Sequence, residues 1–97
     1  MALGYFVYIM GSRPGGALYV GSTNNLRRRV EEHRAKLQPG HTAKYNITHL
    51  YWFEEHPTYN EALARERRIK GWLRTWKDQL IMAVNPEWRD LDADIPW

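Results

Sequence analysis

No cysteine occurs among the 97 residues. A disulfide framework and a thiolate metal site are therefore both excluded, and stability has to come from packing. A reducing compartment suits such a chain. Long apolar runs are missing as well, since no stretch approaches the roughly 20 apolar residues that span a bilayer. Residues 1–21 carry Gly4, Arg13 and a Pro-Gly-Gly turn where a secretory leader would need a cleavage site. A cytoplasmic protein without membrane attachment is the expectation. Repeats, low-complexity tracts and linkers are also absent, and a chain of this length holds one core rather than two. One domain over residues 1–97 is expected, with 86–97 as a C-terminal tail.

What the chain does contain is an apolar share of 43% and a net charge of +3. The charge is unevenly spread. Residues 22–45 hold six basic side chains (Arg27, Arg28, Arg29, Arg34, Lys36, Lys44) against Glu31 and Glu32. Residues 65–77 hold six more (Arg65, Arg67, Arg68, Lys70, Arg74, Lys77) against Glu66 alone, whereas the end of the chain is acidic. Two basic blocks can form a polyanion footprint, because each neutralised phosphate releases counterions. The same residues are also ordinary helix formers on solvated faces. Charge by itself leaves both readings open.

Residues 4–10 read as a strand built from strong β formers, Tyr5 to Ile9. Gly11-Ser12-Arg13-Pro14-Gly15-Gly16 is turn chemistry, and residues 17–21 resume the strand pattern, which predicts a hairpin. A register that sets Met10 opposite Ala17 puts Tyr8 opposite Tyr19 on one face. From residue 24 the period becomes helical, with Ser22 or Thr23 available as N-cap and Leu26, Val30, His33 and Leu37 on one stripe. Arg29 falls on the flank facing the sheet, while Arg27 and Arg28 point more toward solvent. An inward arginine needs an anion, either a structural carboxylate or a phosphate.

Pro39-Gly40 breaks that helix, and residues 48–54 (THLYWFE) read as a third strand ended by His56-Pro57. Thr58 with Glu61 makes a capping box. On the helix that follows, Ala62, Leu63, Glu66, Ile69 and Leu73 share a stripe. A carboxylate in that stripe either closes an ion pair or holds a metal ion. A last helix is expected over residues 75–84, capped by Thr75 with Asp78 and stopped by Asn85-Pro86. Trp72, Trp76 and Trp88 are assigned to the core beneath it.

Tyr8 in FVY, Tyr19-Val20-Gly21, Asn25-Leu26 followed by Arg29 and His33, and Glu66 on a later helix occur in an order that resembles the GIY-YIG nuclease family. The segments LYVGSTNNLRRRVEEH, HLYWFEEH, EALARERRIKGWLR and NPEWRDL are similar to its small single-domain bacterial members. Phe6 stands where the name-giving pattern has glycine, and Val20 where it has isoleucine. The resemblance implies an α/β (α+β) domain with a central three-stranded antiparallel sheet flanked by helices. It also implies metal-dependent endonucleolytic hydrolysis of DNA, in the setting of repair or recombination. On this chain the family's catalytic residues become Tyr8, Tyr19, Arg29, His33 and Glu66, with Glu66 holding Mg²⁺ or Mn²⁺. Asn85 matches a late asparagine of the family, and a plain helix-stop role serves it equally well.

The chemistry agrees with those residue types. A hard cation can sit on one carboxylate plus waters and substrate phosphate. Arg29 supplies a fork of donors for a phosphate. A tyrosine acting as general base needs its phenol, ordinarily near 10, lowered, and Arg29, metal-bound water and the basic blocks are expected to do that. Tyr8 and Tyr19 are interchangeable in this role. Arg27, Arg28, Lys44, Arg65, Arg68 and Lys70 are the expected DNA contacts, with Tyr45 beside Lys44. His41, His49 and His56 lack ligand spacing. So small a chain leaves no room for a targeting domain, so specificity falls to substrate shape, the basic blocks or a protein partner. The competing reading is a non-catalytic nucleic-acid-binding or adaptor module with the same fold.

Overall fold

The computed structural model describes residues 4–36 and 44–96. Expectations placed on Leu37, Pro39, Gly40, His41 and Trp97 lie outside them. Three strands, β1 (Tyr5–Gly11), β2 (Leu18–Thr23) and β3 (His49–His56), form an antiparallel sheet in the order β2-β1-β3. Helix α1 (Leu26–Arg34) follows β2; α2 (Tyr59–Lys70), α3 (Arg74–Val84) and a short 3₁₀ turn (Leu91–Asp94) follow β3. The expected α+β architecture is what the chain adopts. None of the described helices is long and apolar enough to cross a membrane.

The central strand explains why YFVYIM shows no alternation. Both of its faces are covered, so from Phe6 onward every residue of β1 is buried. Phe6, Tyr8 and Met10 face Leu26 and Val30 of α1, together with Leu91 and Ile95 from the end of the chain. Val7 and Ile9 face Ala62 and Ile69 of α2 and Ile81 of α3. Phe6, in the place of the pattern's glycine, fills the first layer edge-on to Phe53, with ring centroids 6.0 Å apart.

The hairpin differs from expectation by two residues at its loop. Ser12 and Ala17 close it, with Ser12 N–H donating to Ala17 O and Ala17 N–H donating to Ser12 Oγ, both at 3.1 Å. Gly15 takes the positive φ of 76° that the turn requires. The pairing therefore moves by two residues. Tyr8 lies across from Gly21 and Met10 across from Tyr19, instead of Tyr8 across from Tyr19. An even shift keeps both phenols on one face, as diagonal neighbours with centroids 6.2 Å apart.

β2 consequently runs through Ser22 and Thr23, and the cap of α1 falls to Asn25, whose side chain accepts from Arg28 N–H. Lys36, at φ 59°, follows the end of α1. Thr58 caps α2 as expected, accepting from Glu61 N–H at 3.2 Å. α3, by contrast, starts at Arg74 without a side-chain cap, and Asp78 pairs with Arg74 at 2.8 Å instead of serving Thr75. Because α2 stops at Gly71, Leu73 leaves its buried stripe and is exposed. The tryptophan core also changes: Trp52 is buried, Trp72 and Trp88 partly so, and Trp76 is exposed.

The segment after α3 packs on the domain through Leu91, Ile95 and a polar lock. Asn85, 2% exposed, donates to the carbonyls of Tyr51 (3.1 Å) and Arg89 (2.8 Å) and accepts from Arg89 N–H (3.0 Å). Asp90 accepts from Leu50 N–H at 3.2 Å and is ion-paired to Arg34. Replacing Asn85 by Ala should leave those buried backbone groups unsatisfied and lower stability by about 2–3 kcal/mol. Urea unfolding checks this, and an unchanged midpoint contradicts the structural role.

Candidate active site

β1 delivers Tyr8 to the α1 side of the sheet, where Gly21 opposite makes room for it. A Cβ on Gly21 would stand 2.6 Å from Tyr8 Oη. The phenol meets His33 Nε2 at 3.1 Å, and both residues are 1% exposed. His33 reaches it from the stripe Leu26, Val30, His33, the buried face of α1. The Tyr19 ring lies 5.1 Å from the imidazole, less deeply buried than Tyr8.

One turn before His33, Arg29 occupies the flank of the helix, its side chain 29% exposed. Its Nε approaches Glu32 to 3.3 Å, so the structural carboxylate sought in the sequence exists. The N–H is nevertheless not satisfied. Nε is buried with no hydrogen-bond acceptor among the described residues. A buried donor left so is costly, and more so on a cation, which favours an incoming anion.

Glu66 comes from the other side of the sheet. β2 is an edge strand against which α2 packs, and the carboxylate meets Ser22, which points to the same face as its cross-strand partner Val7. Ser22 Oγ donates to Oε1, Lys70 Nζ lies 2.6 Å from Oε2, and the side chain is only 13% exposed. Lys70 also hangs over the Tyr19 ring at 6.0 Å. The ion-pair alternative for Glu66 is thus realised. Lys70 itself is half-exposed.

Burial outweighs charge at Tyr8. Desolvation first, then Tyr19, raises the phenol far above its usual range, with Glu66 and Glu32 adding to the rise and Arg29 opposing it. The expected lowering is therefore reversed, since the basic residues lie mostly in solvent while the hydroxyl does not. His33 is pushed below its ordinary 6.5 by burial and by Arg29, against Glu32, so the imidazole is neutral at pH 7.

The donor set bears on which metal fits. Among the described residues no three His, Asp or Glu side chains cluster. One oriented carboxylate suits a hard, largely hydrated cation and offers nothing to a soft one.

The residues expected to contact DNA divide. Arg28 and Arg68 are exposed, and Lys44 lines an open basic cleft with Arg13 and Arg74. Arg27 turns from solvent to the Ile95 carbonyl at 3.4 Å. Arg65 is committed inward, 3.0 Å from Glu54 and stacked over Trp52 and Trp72, while Lys70 serves Glu66. Ser22 and Glu32 were missed as site residues. Glu32 carried a legible signal, three residues from Arg29 on a helix; Ser22, considered only as a cap, carried none.

A family model described as the GIY-YIG catalytic domain matches residues 4–79. A UPF0213 protein of Bacillus pumilus (strain SAFR-032) is 36% identical over 72 residues, 74% of this chain and 74% of that protein. A UPF0213 protein of Staphylococcus aureus (strain Mu3) is 36% identical over 77 residues, 79% of this chain and 93% of that protein. The solution NMR structure of a UPF0213 protein from Bacillus halodurans aligns with a TM-score of 0.56 at 24% identity, covering 90% of this chain and 92% of that one. That likeness speaks for the fold alone.

The neutral imidazole has a consequence for stability. The folded chain resists a proton that the unfolded chain accepts, so stability is full above about pH 6.5 and falls as pH drops below it toward the lowered value. Urea unfolding between about pH 7 and pH 5 should show this fall in the wild type and a shallower one in His33→Gln. Equal slopes contradict the buried, neutral assignment.

Proposed function

The chain belongs to the GIY-YIG catalytic-domain family, a nuclease superfamily, and we propose that it is an endonuclease hydrolysing DNA phosphodiester bonds with a divalent cation, Mg²⁺ or Mn²⁺, at Glu66. One observation carries this reading: the buried Tyr8–His33 hydrogen bond lies beside an arginine whose Nε has no acceptor. It joins a proton acceptor to an anion receptor.

Burial disfavours a free Tyr8 phenolate, which constrains how the phenol can serve as a base. As the attacking water gives its proton to the Tyr8 oxygen, the phenolic proton passes to His33 Nε2, which is neutral and at hydrogen-bond distance. No full charge then develops on the phenol. Arg29 binds a non-bridging oxygen of the scissile phosphate through the exposed part of its side chain. Tyr19, flanking both rings, orients the water. Glu66, held by Ser22 and paired to Lys70, would hold the cation. A cation there would neutralise charge on the phosphate and assist the leaving oxygen. Repair or recombination is the proposed setting.

Glu66→Ala should abolish Mg²⁺-dependent nicking of DNA while leaving DNA affinity nearly unchanged, measured by plasmid relaxation and a gel-shift titration. Cutting at the wild-type rate contradicts the metal assignment.

A further inference from the structure

Beside Glu66, at the same end of β2, opens a cleft of about 290 Å³. Its polar lining is Ser22, Thr23, Asn24 and Arg29; its aromatic lining is Tyr5 and Tyr59, with buried Ala62 adding a small side chain. Two of these residues belong to the catalytic cluster. Ser22 donates to Glu66, and Arg29 brings a partly exposed cationic side chain. The cleft therefore continues the site and is not a separate dimple.

Its volume lies at the small end for ligand sites, enough for one nucleotide-sized group and far too little for a duplex. Its chemistry is two-poled. A cation and short polar side chains suit a sugar-phosphate, whereas the tyrosine pair offers an aromatic wall. Tyr59 stands edge-on to Tyr5, with centroids 5.8 Å apart and planes at 70°, and it is 55% exposed. Tyr5 thus fixes Tyr59 from one side, and more than half of its surface is left open. Tyr59 begins α2 directly after its Thr58 cap, a rigid place for a stacking side chain.

We propose that this cleft is a nucleotide subsite, in which Arg29 takes a backbone phosphate and Tyr59 stacks the adjoining unpaired base. The substrate class follows. DNA carrying a nucleotide outside the helix, in a bulge, flap or junction, is preferred to paired duplex, because a base already unpaired needs least work to extrude. The inference rests on the cleavage reading for its place beside the cut, and its test measures binding.

The probe is a duplex bearing one unpaired 2-aminopurine, compared with the same duplex fully paired, each titrated with the full chain in EDTA by anisotropy and 2-aminopurine fluorescence. Wild-type protein should bind the bulged duplex about tenfold more tightly, within the range of one aromatic–base stack, and quench its fluorescence. Tyr59→Ala should lose that preference with paired-duplex affinity unchanged, and Tyr59→Trp should keep it. Equal wild-type affinity for the two duplexes, or an undiminished preference in Tyr59→Ala, overturns the proposal. The wild-type comparison decides by itself where Tyr59→Ala does not fold. A preference without any Mg²⁺-dependent cutting leaves the subsite standing and removes the nuclease reading; cutting without a preference does the reverse.

Discussion

A single buried hydrogen bond, Tyr8 Oη to His33 Nε2, orders the rest of this small domain. It lies in an otherwise apolar layer among Phe6, Met10, Leu26 and Val30, where either partner alone would be an unsatisfied polar group. The bond therefore sets the rotation of α1 against the sheet. With His33 turned inward, helical geometry puts Arg29 on the flank near Glu32 and leaves Arg28 in solvent, its side chain 62% exposed. Gly21 is part of the same constraint, since any larger residue there would collide with the phenol.

The second half of the site depends on topology. β1 is central and covered on both faces, so a side chain from α2 meets the Tyr8 layer only around a sheet edge. β2 supplies that edge, where Lys70 hangs over the Tyr19 ring while Ser22 holds Glu66 on the α2 face. Lys70 balances the carboxylate in the meantime. The polar atoms of the acidic C-terminal segment meanwhile engage Arg34 through Asp90 and Asp92, so part of the first basic block is used internally. Arg28, Arg68 and Lys44 lie on the surface, Arg28 within 3.7 Å of Glu32.

Much of this was legible in the residues, and the parts that were not have physical reasons. The three strands, the hairpin, the Thr58 cap and the Leu26-Val30-His33 stripe follow from local periodicity and short-range chemistry. The register of the hairpin depended on which pair closes the loop, and Ser12's hydroxyl decided that. Leu73 is expected inside because the stripe carries on through Gly71, where the helix ends, and Trp76 because the tryptophans are assigned to the core beneath the last helix; both are exposed. At the candidate site, the five residues come from the resemblance by type and order, and the sign of the Tyr8 shift was not legible there. Burial of one hydroxyl is a tertiary property, whereas the arginines that suggested the opposite sign are visible in the chain.

The central claim is that Tyr8 and His33 act as one proton-accepting unit. A double-mutant cycle on cleavage of one DNA substrate, with Tyr8→Phe, His33→Gln and the combined variant, measures this directly. The relay predicts that the combined variant is no slower than the slower single one. Losses that multiply would show two independent contributions and contradict the account.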